Sequence, residues 1–116
     1  MGTDARRCRA RPSVISGRTQ PQLLRLEAKD LAFAGPATVP AGLTRVRLVN
    51  RGRVWHEALI TRLPEGATVD TYVVGARAGE SFPVAATDIG GPGLIATGDS
   101  AEAILPLRPG RYAIVC

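Results

Sequence analysis

The sequence predicts an all-β fold, a Greek-key β-sandwich of about six or seven short strands with one short inserted helix. Three observations carry that expectation. Thirteen Gly and nine Pro among 116 residues interrupt the chain too often for a helical bundle. Between them, apolar and polar residues alternate over short stretches, the period of a strand with one buried face. The segment Leu107-Arg108-Pro109-Gly110-Arg111-Tyr112 places a tight Pro-Gly turn before an alternating strand. There the Tyr hydroxyl can reach back to upstream backbone as a tyrosine corner.

Residues 1–22 read as a disordered basic leader, rich in Arg, Ser, Pro and Gly and lacking any apolar period. The sandwich then occupies residues 23–116. Leu23–Glu27 reads as a strand with Leu24 and Leu26 on one face. A short extended piece at Phe33 precedes Gly35-Pro36, and Thr38–Gly42 reads as a strand end with its turn. Leu43–Asn50 follows, with Val46 and Leu48 on one face and Arg45 and Arg47 on the other. Trp55–Leu63 is nearly continuously apolar and reads as a central strand, with Trp55 as a packing residue. From Thr68 to Arg77 the period changes: Val69, Tyr72, Val73 and Ala76 form a helical stripe. Thr68 is placed to cap that helix and Asp70 suits its first turn. Residues 80–93 read as loop. Gly93–Thr97 and Ala101–Leu107 flank Gly98-Asp99-Ser100 as a hairpin. Tyr112, Ile114 and Cys116 share one face of the last strand.

Composition excludes several classes of function. The net charge of +5 is concentrated early: Arg6, Arg7, Arg9, Arg11 and Arg18 against Asp4. From residue 21 onward ten cations face nine anions. That distribution, with aromatics at only 4%, argues against nucleic-acid binding. No run approaches the roughly 18 apolar residues of a membrane span. The basic residues 6–11 are not followed by an apolar core, so they do not form a signal peptide. Two cysteines, Cys8 and Cys116, leave either a single bridge or two free thiols, and a flexible, unpaired Cys8 in the leader is the expectation. Gly90-Gly91-Pro92-Gly93 lacks the Lys-Ser/Thr sequel of a phosphate loop. With a single His, no paired carboxylates and no nucleophile set beside a base in the sequence, no enzyme is expected.

Two segments together resemble a known family. One is Val49-Asn50-Arg51-Gly52-Arg53-Val54-Trp55-His56, with the single His opening a strand; the other is the Tyr112 strand closing on Cys116. They resemble the cupredoxins, the blue-copper β-sandwich proteins, over roughly residues 23–116. The resemblance implies copper as cofactor, with His56 and Cys116 as its first two ligands. It also implies electron transfer with a redox protein partner, and a periplasmic or extracellular location. The family's second His and its Met would follow the Cys; this chain has one His, and its one Met is Met1. The resemblance therefore implies an incomplete type-1 site and a domain lacking its last strand. An open strand edge would follow, fit for strand addition by a partner. The α-carboxylate of Cys116 would offer an oxygen donor on the same residue. The alternative is a metal-free sandwich serving as a binding or interaction module.

Overall fold

The computed structural model of the protein describes residues 5–11, 20–77 and 87–116. Its strands are β1 (Ala5–Arg11), β2 (Gln22–Lys29), β3 (Ala32–Ala34), β4 (Thr38–Pro40), β5 (Gly42–Asn50), β6 (Leu59–Arg62), β7 (Thr87–Gly90), β8 (Ser100–Leu107) and β9 (Gly110–Val115). Among the described residues one helix, α1 (Val69–Arg77), lies between β6 and β7. The strands form two mixed sheets, ordered β4-β1-β9-β6-β7 and β3-β2-β5-β8. The fold is thus an all-β sandwich with one short helix, as the alternation requires. No helix among the described residues is long and apolar enough to cross a membrane.

Alternation sets the interior. Leu24, Leu26 and Ala28 of β2 lie beside Val46 and Leu48 of β5, paired in parallel as Leu24↔Val46 and Leu26↔Leu48. Leu105 and Leu107 of β8 extend that layer, while Arg25, Arg45 and Arg47 face water. Across the sandwich they meet Cys8, Ala10, Val39, Ile60, Tyr112 and Ile114. Strand β9 is buried on both faces. Tyr112 and Ile114 enter the sandwich, and Ala113 packs outside it with Leu63, Ala67, Val69 and Tyr72. Helix α1 therefore covers the outer face that a one-sided sheet would leave wet. The Thr68 hydroxyl caps it, accepting from Thr71 N at 3.2 Å. The tyrosine corner forms as well, the Tyr112 hydroxyl donating to the Arg108 carbonyl at 2.8 Å.

Several expectations are corrected. The leader read as disordered is not so at Ala5–Arg11, which forms β1; residues 1–4 and 12–19 lie outside the described residues. Strand β1 pairs antiparallel with β9, from Ala5↔Val115 to Ala10↔Gly110, and parallel with β4. The open edge expected beside the last strand does not exist, because β1 takes up the backbone groups of β9 on that side. Period alone does not reveal this strand, because its inner positions are Arg6, Cys8 and Ala10 rather than large apolar residues. Cys8 is free and buried in the core. Its register partner is Tyr112, four residues from Cys116 along β9, or about 13 Å at strand rise. A bridge needs Cα atoms within about 7 Å, so none forms.

The expected central strand Trp55–Leu63 is shorter. Only Leu59–Arg62 pairs as β6, and His56 makes a separate bridge with Ile95. The chain is drawn out there because Ala58 N donates to the Pro92 carbonyl. At φ 151°, Gly91 lies so close to the Ala58 carbonyl that no side chain would fit. The hairpin across Gly98-Asp99-Ser100 does not form either. Ile95 turns to His56, and β8 pairs with β5 instead. Within the stretch read as loop, Thr87–Gly90 adds an edge strand to β6, tied by the Thr61 hydroxyl donating to Asp88 at 2.8 Å. Residues 80–86 of that stretch lie outside the described residues, as does the side chain of Ala76.

Burial pushes the Cys8 thiol above its ordinary value of 9.0, against the pull of the Arg6 charge. The folded chain therefore keeps this proton longer than the unfolded chain does. Stability is complete below about pH 9 and falls as pH rises from there through the folded value. Urea midpoints at about pH 8 and about pH 10 should fall more for the wild type than for Cys8→Ala. Equal falls would show that Cys8 ionises alike in both states.

Candidate functional site

The site is built by Asn50, the last residue of β5, which is fully buried and saturated. Its Nδ2 donates to the carbonyls of Val54 (2.8 Å) and Ile95 (3.0 Å), and its Oδ1 accepts from Gly52 N at 2.8 Å. One amide thus shapes the 50–54 loop and fastens it to the strand-like piece at Ile95. His56 follows, with its own N–H on the Ile95 carbonyl at 3.1 Å and Ile95 N–H returning at 2.8 Å. The His56 main chain is held at both its N–H and its carbonyl, and only 5% of the residue is exposed.

The two sequence-predicted residues come together. Leu59 of β6 pairs with Val115 of β9, so the segment before β6 and the residue after β9 lie at the same end of the sheet. There the Cys116 Sγ stands 3.8 Å from His56 Nδ1. Cys116 is half-buried and packs against the sandwich core. Trp55, expected to pack, instead points outward and is 59% exposed; its neighbour Val54 is exposed too, as is Leu94 beside the bridging Ile95.

Sequence reasoning missed Asp30. Residues 30 and 31 form the two-residue turn between β2 and β3, with Lys29 opposite Ala32. Leu31 takes φ 69°, the left-handed region a Leu adopts only at some cost, with its side chain in water. The turn delivers the Asp30 carboxylate to the 50–56 loop. Arg53 N donates to both of its oxygens (2.9 and 3.0 Å), and Oδ1 lies 3.1 Å from His56 Nε2. The hydrogen bond to His56, joined by the backbone N–H of Arg53, holds the Asp30 carboxyl below its ordinary value. An Asp in a turn is the usual choice for local reasons, so nothing in residues 29–31 signals a partner 26 positions away.

Gly52 lies against this pair. A Cβ there would meet the Asp30 Oδ1 and sit 2.6 Å from His56 Nε2. The loop needs a residue without a side chain to let carboxylate and imidazole meet.

The result is a line of thiol, imidazole and carboxylate. It overturns one argument of the sequence reading, which found no nucleophile beside a base. As a donor set it offers one soft sulfur and one imidazole nitrogen on the same side. Among the described residues, no group of three or more His, Cys, Asp or Glu is placed to hold a metal ion. Compared with protein-family models the chain finds no match, and compared with curated proteins it finds none either.

Proposed function

We propose that the chain is a cupredoxin-like, non-catalytic copper-binding and electron-transfer domain, with His56 Nδ1 and Cys116 Sγ as its two protein ligands. The observation that supports this reading is the 3.8 Å separation of those atoms, brought from positions 60 residues apart. Bonds of the lengths zinc makes, about 2.3 Å to sulfur and about 2.0 Å to imidazole nitrogen, can span that separation. Soft sulfur suits Cu(I) and imidazole suits Cu(II), so copper would supply one-electron exchange here.

The protein's own contribution is rigidity. His56 is fixed by Ile95 and by its ring contact with Asp30. Cys116 follows a strand buried on both faces. Ligands that hold still on a packed sandwich need little rearrangement when charge changes. Two protein donors leave the rest of the coordination sphere to solvent or added donors, which favours Cu(I) over a blue Cu(II) centre. A redox protein is the partner this reading requires.

A second reading, a metal-free sandwich that binds another molecule, is favoured by the two-donor count alone. Copper(I) titration in competition with a coloured chelator separates the two. The 116-residue chain in a Cys8→Ala background should take one equivalent. Cys116→Ser should weaken that binding about 100-fold or more, since it removes the only thiolate. Copper(II) should produce no intense blue colour. Equal affinity in the presence and absence of Cys116 would leave the metal-free module.

A further inference from the structure

We propose that Asp30 is the positioning residue of this site: its carboxylate, reaching Nε2 past Gly52, turns the Nδ1 lone pair of His56 toward the Cys116 sulfur. The inference rests on the copper reading for its consequence, and on the structure alone for its geometry.

A neutral imidazole carries one proton on two nitrogens, and the partner of one nitrogen decides the role of the other. Asp30 presents only acceptor atoms to Nε2, at 3.1 Å. Nε2 therefore carries the hydrogen, and Nδ1 is left as the donor of an electron pair. That nitrogen faces Sγ at 3.8 Å. The same contact fixes the ring plane, because Asp30 is itself clamped by Arg53 N through both oxygens. A carboxylate behind a ligating imidazole also raises its strength as a donor. Asp30 touches neither sulfur nor metal; it acts through His56.

The arrangement depends on three segments. The β2–β3 turn supplies the carboxylate, the 50–56 loop supplies Gly52 and the imidazole, and β9 leads to the sulfur. Gly52 faces both partners of the hydrogen bond, so the space for it is built by the loop.

Nitrogen-15 NMR of the metal-free 116-residue chain reads the tautomer directly. The wild type should show a protonated Nε2 and an unprotonated Nδ1. Asp30→Ala should show both tautomers and bind copper(I) about 10- to 100-fold more weakly. Asp30→Asn, whose amide oxygen still accepts from Nε2–H, should keep the wild-type tautomer and lose about 10-fold in affinity. An Asp30→Ala chain with the wild-type tautomer and affinity within twofold would overturn the proposal. Should Asp30→Ala not fold, unchanged affinity in Asp30→Asn overturns it equally. If the wild type takes no copper while Asp30→Ala still scrambles the tautomer, the copper reading falls and the positioning role stands.

Discussion

Deletion of residues 1–11 is expected to lower the thermal midpoint by at least about 10 °C, or to abolish cooperative unfolding. Strand β1 is an interior member of its sheet, set between β4 and β9. Its removal strips the backbone partners from β9 over six paired positions. It also uncovers the inner faces of Tyr112, Ile114 and Val39, which lie opposite Cys8, Arg6 and Ala10. Even partial exposure of three such side chains, at roughly 1.5–3 kcal/mol for each if complete, costs about 3–6 kcal/mol. Domains of this size have only about 5–15 kcal/mol in total. Circular dichroism melts of the shortened and full chains test this, and midpoints within a few degrees would mean that β1 is not seated in solution.

A narrower change separates the strand from its awkward residue. Arg6 reaches across the sandwich, its guanidinium donating to the carbonyls of Phe33 (2.9 Å) and Gly35, while its buried Nε has no partner. A part-buried charge with an unfilled buried donor contributes little to stability. Arg6 itself therefore adds little to the seat of β1, which rests on backbone pairing with β9 and β4 and on the buried Cys8 and Ala10.

Gly52→Ala is expected to carry the second large effect. The added methyl would overlap the Asp30 carboxylate and the His56 ring, and the neighbours there are an anion and an imidazole already engaged with each other. Relief requires pulling them apart, at about 1–3 kcal/mol for overpacking a tight site. The loss should appear in two measurements. Urea denaturation should show the lower stability, and the His56 ring nitrogens should lose the signature of a single tautomer. A variant as stable as wild type, with the tautomer unchanged, would show that the 50–54 loop yields without disturbing the pair.

Much of the sandwich is legible in the residues because strands write themselves locally. Leu24 and Leu26, Val46 and Leu48, and Leu105 and Leu107 each announce a buried face by alternation, and each is buried. The helix is legible through Val69 and Tyr72, and the tyrosine corner through its Pro-Gly turn. The misreadings have a common cause. Trp55–Leu63 and Gly93–Thr97 are apolar enough for strands, yet the drawn-in backbone at Gly91 and the Asn50 amide redirect both. Those influences come from residues far along the chain.

The site divides in the same way. His56 and Cys116 stand out in the sequence, each the end of a recognisable segment. Asp30 does not, since a turn Asp has sufficient local reason to be there.

What the amino-acid order determined by itself was the period of each buried face, and with it a two-layer β architecture, because side-chain direction repeats every two residues within a strand. What only the tertiary structure decided was which strand lies beside which: that Ala5–Arg11 fills the seat next to β9, and that a turn carboxylate, a loop imidazole and a strand-end sulfur converge. Pairings between distant segments depend on register and on the shape left by every other element, and no local period records them.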